Sequence, residues 1–186
     1  MLLMSVVKRH ARTPEHAEWL LELLSLHEGP LLRYAQRLLA GDVERARDVV
    51  QDTFLKLCGQ PRAKVEGHAR EWLFTVCRNR ALDVRKKEGR MNADDTLGAR
   101  ASTAPGPVAV VQEQEERSRL LDMVSHLPAK QREVVLLKFQ NGYSYKEIAR
   151  ITKHSIGNVG YLLHMAIKTL RGQLEADVAL GRGRTS

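Results

Sequence analysis

From Thr13 to about residue 90, apolar residues recur at the three- and four-residue spacing of buried helix faces, and few turn residues interrupt them. Thr13 followed by Pro14 and Glu15 marks a helix start. A first helix over roughly 14–27 presents Trp19, Leu20, Leu23 and Leu24 on one side. A second is predicted from Pro30 to Leu39, stopping at Ala40-Gly41, where Asp42 can cap the next. In that third helix, which ends near Leu57, Ala46, Val49, Val50, Phe54 and Leu57 form one face. A fourth, about Gly67 to Lys87, gathers Ala69, Trp72, Leu73, Val76, Cys77, Ala81 and Val84 on its stripe and leaves Phe74 off it.

The periodicity then stops. Residues 91–112 hold Pro105-Gly106-Pro107 and no aromatic residue, the composition of a disordered tether. Helical spacing resumes near Gln114 and runs to about Leu174, before a tail containing Gly and Arg. The expected fold is all-α: two small helical bundles joined by a flexible linker, with a helix-turn-helix in the second. The boundaries are 13–90, a linker over 91–116, 117–175, and a tail over 176–186.

The most specific local signal runs from Gly142 to Val159. Ser144 and Glu147 have the spacing of a capping box, and Asn141-Gly142 ends the preceding helix. Ile148, Ala149, Ile151, Ile156, Val159 and Leu163 are spaced to pack two short helices across a three-residue turn. In that geometry the second helix enters the major groove and the first crosses the backbone. Asn158, Tyr161, His164, Lys168 and Arg171 are then exposed on the second helix, and Asn158 can pair with an adenine edge. Lys146, Arg150 and Lys153 are placed for phosphates.

Charge sharpens this picture. The chain has 186 residues and a net charge of +8, which favours a polyanionic partner. Residues 117–174 hold ten Lys or Arg against three acidic residues, so the surplus sits in the second module. A second basic cluster, Arg78, Arg80, Arg85, Lys86, Lys87 and Arg90, lies beside Trp72 and Phe74; cations with flat rings suit single-stranded DNA. Trp72 is expected in the core and Phe74 is the stacking candidate. Glu44, Asp48 and Asp52 recur every four residues, a like-charge ridge that costs an isolated helix about 0.2–0.5 kcal/mol per pair. Such a ridge, with Gln51, suits a basic protein partner.

Cys58 and Cys77 lack the spacing of a zinc site or a disulfide framework and are expected as reduced, buried thiols. His68 with Glu71 reads as structural. No nucleophile has a base at hand, and neither a glycine-rich phosphate loop nor a metal-ligand cluster is present, so neither catalysis nor a cofactor is expected. No apolar run approaches the roughly 20 residues of a membrane span. Met1 to Val7 is followed by Lys8, Arg9 and Arg12, the reverse of a signal peptide, and the expected location is the cytoplasm.

The stretch Ala46 to Leu57 resembles a segment of conserved region two in the extracytoplasmic-function (ECF) group of the sigma-70 family. Glu71 to Arg85 resembles the following helix of that region. Leu127-Pro128, Gln131 to Val134 and the helix-turn-helix resemble region four. The resemblance implies that Asp48, Gln51 and Asp52 dock on the clamp helices of the largest subunit of core RNA polymerase. It implies that Arg78, Asn79, Asp83, Arg85, Lys86, Lys87 and Arg90 face melted downstream promoter DNA, and that Ser155 to Lys168 face the upstream element. The polymerase flap region and an anti-sigma protein are further implied partners. Extended, residues 91–116 would span on the order of 90 Å, enough for two separate DNA sites. Two departures stand out. Gly160, Tyr161, Leu162, Met165 and Ile167 occupy a helix that in the family usually carries several Lys or Arg, and Arg47 replaces a glutamate before Asp48.

Two other readings compete. One is a stand-alone two-domain helix-turn-helix regulator. The other, motivated by Leu162 and Met165, is an interaction protein with a degenerate DNA surface.

Overall fold

The computed structural model describes residues 4, 13–91 and 120–182, with side chains for 4, 13–87 and 120–176. The expected tether, apart from the backbone of Met91, therefore lies outside the described residues, as does the side chain of Arg90. The chain divides into two compact units, Met1–Thr103 and Ala104–Ser186. All regular elements among the described residues are helical.

In the first unit, α1 (Pro14–Leu38), α2 (Val43–Cys58) and α4 (Ala69–Met91) pack against one another. The short α3 (Arg62–Val65) and a tight turn at Glu66–His68 lead into α4. Helix α1 starts as its sequence dictates, with the Thr13 hydroxyl accepting from the His16 amide at 3.2 Å.

The two helices expected over 14–39 are one, with Pro30 inside it. Proline removes a hydrogen bond and costs an interior helix about 3 kcal/mol. Leu20, Leu24, Leu31 and Ala35 are nonetheless all buried, a stripe that keeps its phase across Pro30. Sinking both halves of that stripe into one core outweighs the local cost. The helix stops where expected: Ala40 and Gly41 have φ of 54° and 89°, and the Gly41 amide donates to the Gln36 carbonyl at 2.8 Å. Asp42 then caps α2, accepting from the Arg45 amide at 3.0 Å.

The core stripe of α4 is rotated from the expected one. Ala69, Leu73, Phe74, Cys77 and Ala81 are buried, whereas Trp72, Val76 and Val84 are half-buried at its flanks. Phe74 is 1% exposed and packs on Tyr34 of α1, with ring centroids 5.2 Å apart. Phe74 is therefore a core residue and no stacking platform, and Trp72 is the ring that solvent reaches. Tyr34, itself buried, offers an aromatic partner that sequence spacing on α4 alone does not reveal.

The second unit comprises a helical segment over 120–125, α5 (Ala129–Val135), a wide turn at Leu136–Gln140, α6 (Tyr145–Thr152) and α7 (Ile156–Arg182). In the wide turn the Asn141 amide reaches back five residues to the Leu136 carbonyl at 3.1 Å. Tyr143, Ile148, Ile151, Val159, Leu163 and Ala166 form its core. Helix α7 runs to Arg182, into the expected tail. Among the described residues no helix is long and apolar enough to cross a membrane.

Two predictions follow the packing. Phe74→Ala is expected to destabilise the first unit by about 3–5 kcal/mol in urea unfolding, with Trp72→Ala costing less; a larger loss for Trp72→Ala contradicts the observed phase of α4. Burial pushes the Cys77 thiol up to about 12, partly opposed by a hydrogen bond with Thr53, and burial also raises Cys58. An aromatic disulfide reagent at pH 8 should thus titrate neither thiol until denaturant is added, because the thiolate is the reactive form.

Candidate docking and promoter-facing surfaces

Helix α2 puts Glu44 and Asp48 on its exposed side, while Gln51 and Asp52 are half-buried. The expected row of like charges is not what its surroundings make of it. Arg47 binds Glu44 at 2.6 Å, and Arg45 approaches Asp42 at 3.3 Å. Asp52 is held from another helix: Arg80 of α4 donates its Nε hydrogen to Asp52 Oδ2 at 2.7 Å. These two side chains are 37% and 35% exposed, so water screens the pair only in part. Asp48 is left as the exposed carboxylate at the centre of the ridge, and like-charge repulsion along α2 is relieved by arginines on both sides.

Arg80 was read from sequence as one more cation of the basic cluster, and its ion pair was missed. The partners are 28 residues apart, beyond any local spacing rule. Just before Arg80, Arg78 and Asn79 are half-buried, and farther along α4 Asp83, Arg85, Lys86 and Lys87 are exposed. The cationic end of α4 thus begins one turn beyond the Asp52 contact.

In the second unit the capping box is formed as expected: the Ser144 amide donates to Glu147 Oε2 at 2.7 Å, and the Glu147 amide donates to Ser144 Oγ at 3.3 Å. Helix α6 ends on Lys153, whose φ of 58° and ψ of 36° lie in the left-handed region, and His154 continues the turn. A left-handed backbone is costly for a residue with a Cβ, but it reverses the chain in three residues and starts α7 at Ile156. Ser155 is exposed, yet its hydroxyl oxygen accepts from the Asn158 amide at 3.2 Å, so it caps α7.

Lys146, Arg150 and Lys153 are exposed on α6 and the turn, and Asn158, Tyr161, His164 and Lys168 on α7. Two apolar positions depart from expectation. Ile156, expected in the interhelical packing, is 53% exposed, while Leu162 is buried at 9%. Leu162 therefore belongs to the core and gives no support to a degenerate DNA surface. Around the turn before α6, Phe139 is 65% exposed and Lys138 sits over the Tyr145 ring at 5.5 Å, a pair that the seven-residue separation across a turn concealed.

Residues 23–91 match the family description Sigma-70 region 2, and residues 117–170 match Sigma-70, region 4. The ECF RNA polymerase sigma factor SigL of Mycobacterium tuberculosis is 33% identical over 154 residues, covering 80% of this chain and 85% of that protein. The chain belongs to the ECF sigma factors of the sigma-70 family.

EcfG of Rhodopseudomonas palustris, another ECF sigma factor, is 32% identical, covering 81% of this chain and 82% of its own length. Among solved structures, the sigma factor RpoE of Bartonella quintana, crystallised with the anti-sigma factor NepR, superposes with a TM-score of 0.66 at 26% identity. That likeness covers 84% of this chain and 96% of RpoE. As a sigma factor, this protein binds core RNA polymerase and promoter DNA and directs promoter recognition and transcription initiation. The stand-alone regulator reading is set aside, because the first module is sigma region 2.

The sigma factor's Asp52–Arg80 pair should couple α2 to α4 by about 0.5–1 kcal/mol. A double-mutant cycle of Asp52→Ala and Arg80→Ala in urea unfolding checks this, with the coupling shrinking in high salt; additive single effects would show that the contact contributes nothing.

Proposed function

We propose a division of the initiation task among these surfaces, carried by one observation: in the first unit Asp48 is exposed on α2 while Arg85, Lys86 and Lys87 are exposed at the end of α4, and in the second unit Lys146, Arg150, Lys153 and Lys168 are exposed on the helix-turn-helix. Asp48 and Gln51 dock on basic residues of the clamp helices of the largest polymerase subunit. Asp52 acts with them, and Arg80 sets its orientation. An exposed carboxylate meeting cations on a partner favours fast, correctly oriented encounter as well as affinity.

Arg78, Asn79, Asp83, Arg85, Lys86, Lys87 and Arg90 face the melted downstream element, where phosphates demand cations and unpaired bases can be addressed by Asn79 and Asp83. Lys146, Arg150 and Lys153 grip phosphates of the duplex upstream element. Ser155 holds the start of α7, and Asn158, Tyr161, His164 and Lys168 face the groove, with Asn158 suited to adenine. The linker over 91–116 spans the two sites, and the second module also meets the flap region. Bond-making chemistry stays with core polymerase, and the working location is the cytoplasm. The anti-sigma partner seen with RpoE supports an inhibitory partner of the same kind here.

Asp48→Ala is expected to weaken core polymerase binding about tenfold, a change of ~1.4 kcal/mol, while leaving the helical circular dichroism and Tm unchanged. Fluorescence anisotropy titration of labelled sigma factor with core enzyme measures it. An unchanged Kd removes α2 from the docking surface.

A further inference from the structure

Helix α7 has no Lys or Arg between Ile156 and Ile167, in a protein of net charge +8. At its start it exposes Ile156 at 53% and Tyr161 at 61%, with Gly157 and the neutral polar Asn158 between them. At about 100° per residue, Gly157, Tyr161, His164 and Lys168 line one exposed side, with Gly160 beside them and Ile156 at the tip.

The fold does not require either glycine. A methyl group added at Gly157 would meet nothing within 4 Å, and one at Gly160 would meet only Tyr145 Cε2 at 3.7 Å, an ordinary contact. Neither has the left-handed backbone of Gly41 or Gly142. Both nevertheless weaken a helix relative to alanine. Two unneeded helix-weakening residues beside two exposed large apolar side chains describe a surface shaped for something outside the chain.

Resting on the proposed placement of α7 at the upstream element, we infer that this helix reads thymine methyl groups by close apolar approach. Ile156 and Tyr161 are specificity-determining residues alongside Asn158, and Gly157 and Gly160 let the backbone sink toward the groove floor. Among the groups that base pairs offer in the major groove, the thymine methyl is the large apolar one; beside the small C5–H of cytosine, the others are donors and acceptors. Isoleucine pressed on a guanine or adenine edge strips water from acceptors and returns no hydrogen bond, which opposes those bases. Against a thymine methyl it removes apolar surface from water on both sides. The cations that hold the duplex lie outside this stretch, at Lys146, Arg150, Lys153 and Lys168, so anchoring and reading are separate.

The test uses holoenzyme assembled from the full chain and core polymerase, on promoters found by sequencing its transcript starts. Upstream elements are synthesised with deoxyuridine for thymine, which deletes the methyl and keeps the pairing. Occupancy is expected to fall about fourfold for each methyl contacted, and the deoxyuridine penalty should shrink for Ile156→Ala and Tyr161→Ala. Gly157→Ala should raise the Tm of the free protein while lowering occupancy of the thymine-containing element, a pairing of effects that a merely structural glycine would not produce. If scrambling the upstream element abolishes occupancy but deoxyuridine does nothing, methyl reading is overturned and the placement of α7 stands. If scrambling also does nothing, the placement itself fails. An upstream element without thymine, or full occupancy by Gly157→Ala, likewise overturns the inference.

Discussion

A helix can bury one stripe, and the phase of that stripe determines which residues remain for binding. Every surface described above follows from this constraint. Helix α4 turns Ala69, Leu73, Phe74, Cys77 and Ala81 inward, so the exposed residues of its last turns, Asp83, Arg85, Lys86 and Lys87, form a solvent-facing end. Helix α7 turns Val159, Leu162, Leu163 and Ala166 inward, which leaves Asn158, Tyr161, His164 and Lys168 outward. A stripe displaced by one residue, about 100°, would exchange binding residues for core residues. Packing energy therefore sets the functional face, because deeply buried aromatic and aliphatic side chains each stabilise by more than a surface contact.

Electrostatics acts on that arrangement at closer range. An isolated α2 would suffer from Glu44, Asp48 and Asp52 at four-residue intervals. In the folded unit Arg47 and Arg80 engage the two outer carboxylates and leave the middle one exposed. The acidic ridge is thereby partly relieved, with Asp48 exposed between two carboxylates that have arginine partners. The Arg80 contact also ties the helix proposed for polymerase docking to the helix proposed for melted DNA.

The local punctuation was legible in the sequence because capping acts over three or four residues. Thr13, Asp42 and the Ser144–Glu147 box all do what their spacing implies, and the helix-turn-helix appears where expected. What could not be read depends on partners distant in the chain. Phe74 and Trp72 are two residues apart and both apolar, so packing against other helices, with Tyr34 on α1 one of the partners of Phe74, decides which is buried. The Asp52–Arg80 pair spans 28 residues. Pro30 looked like a boundary because proline usually is one; the matching phase of Leu24 and Leu31 on its two sides was available in the spacing and was outweighed by the proline. Ser155, expected to face the upstream element, also caps α7, a second role that its position before an apolar run equally allows.

The exposed start of α7 raises a question of energy rather than of pattern. Phosphate contacts supply affinity for any duplex, and cations on the reading helix would add to that affinity without adding discrimination. Cations are exposed on α6, on the left-handed turn and at Lys168, and in the proposed arrangement they would anchor the duplex on either side of the reading segment. Between them, neutral side chains discriminate by what they fail to satisfy: a donor or acceptor covered by Ile156 loses water and gains nothing. On the proposed reading a helix poor in cations is no defect of promoter recognition, since neutral contacts would penalise the wrong base while the flanking cations would hold the right one in register.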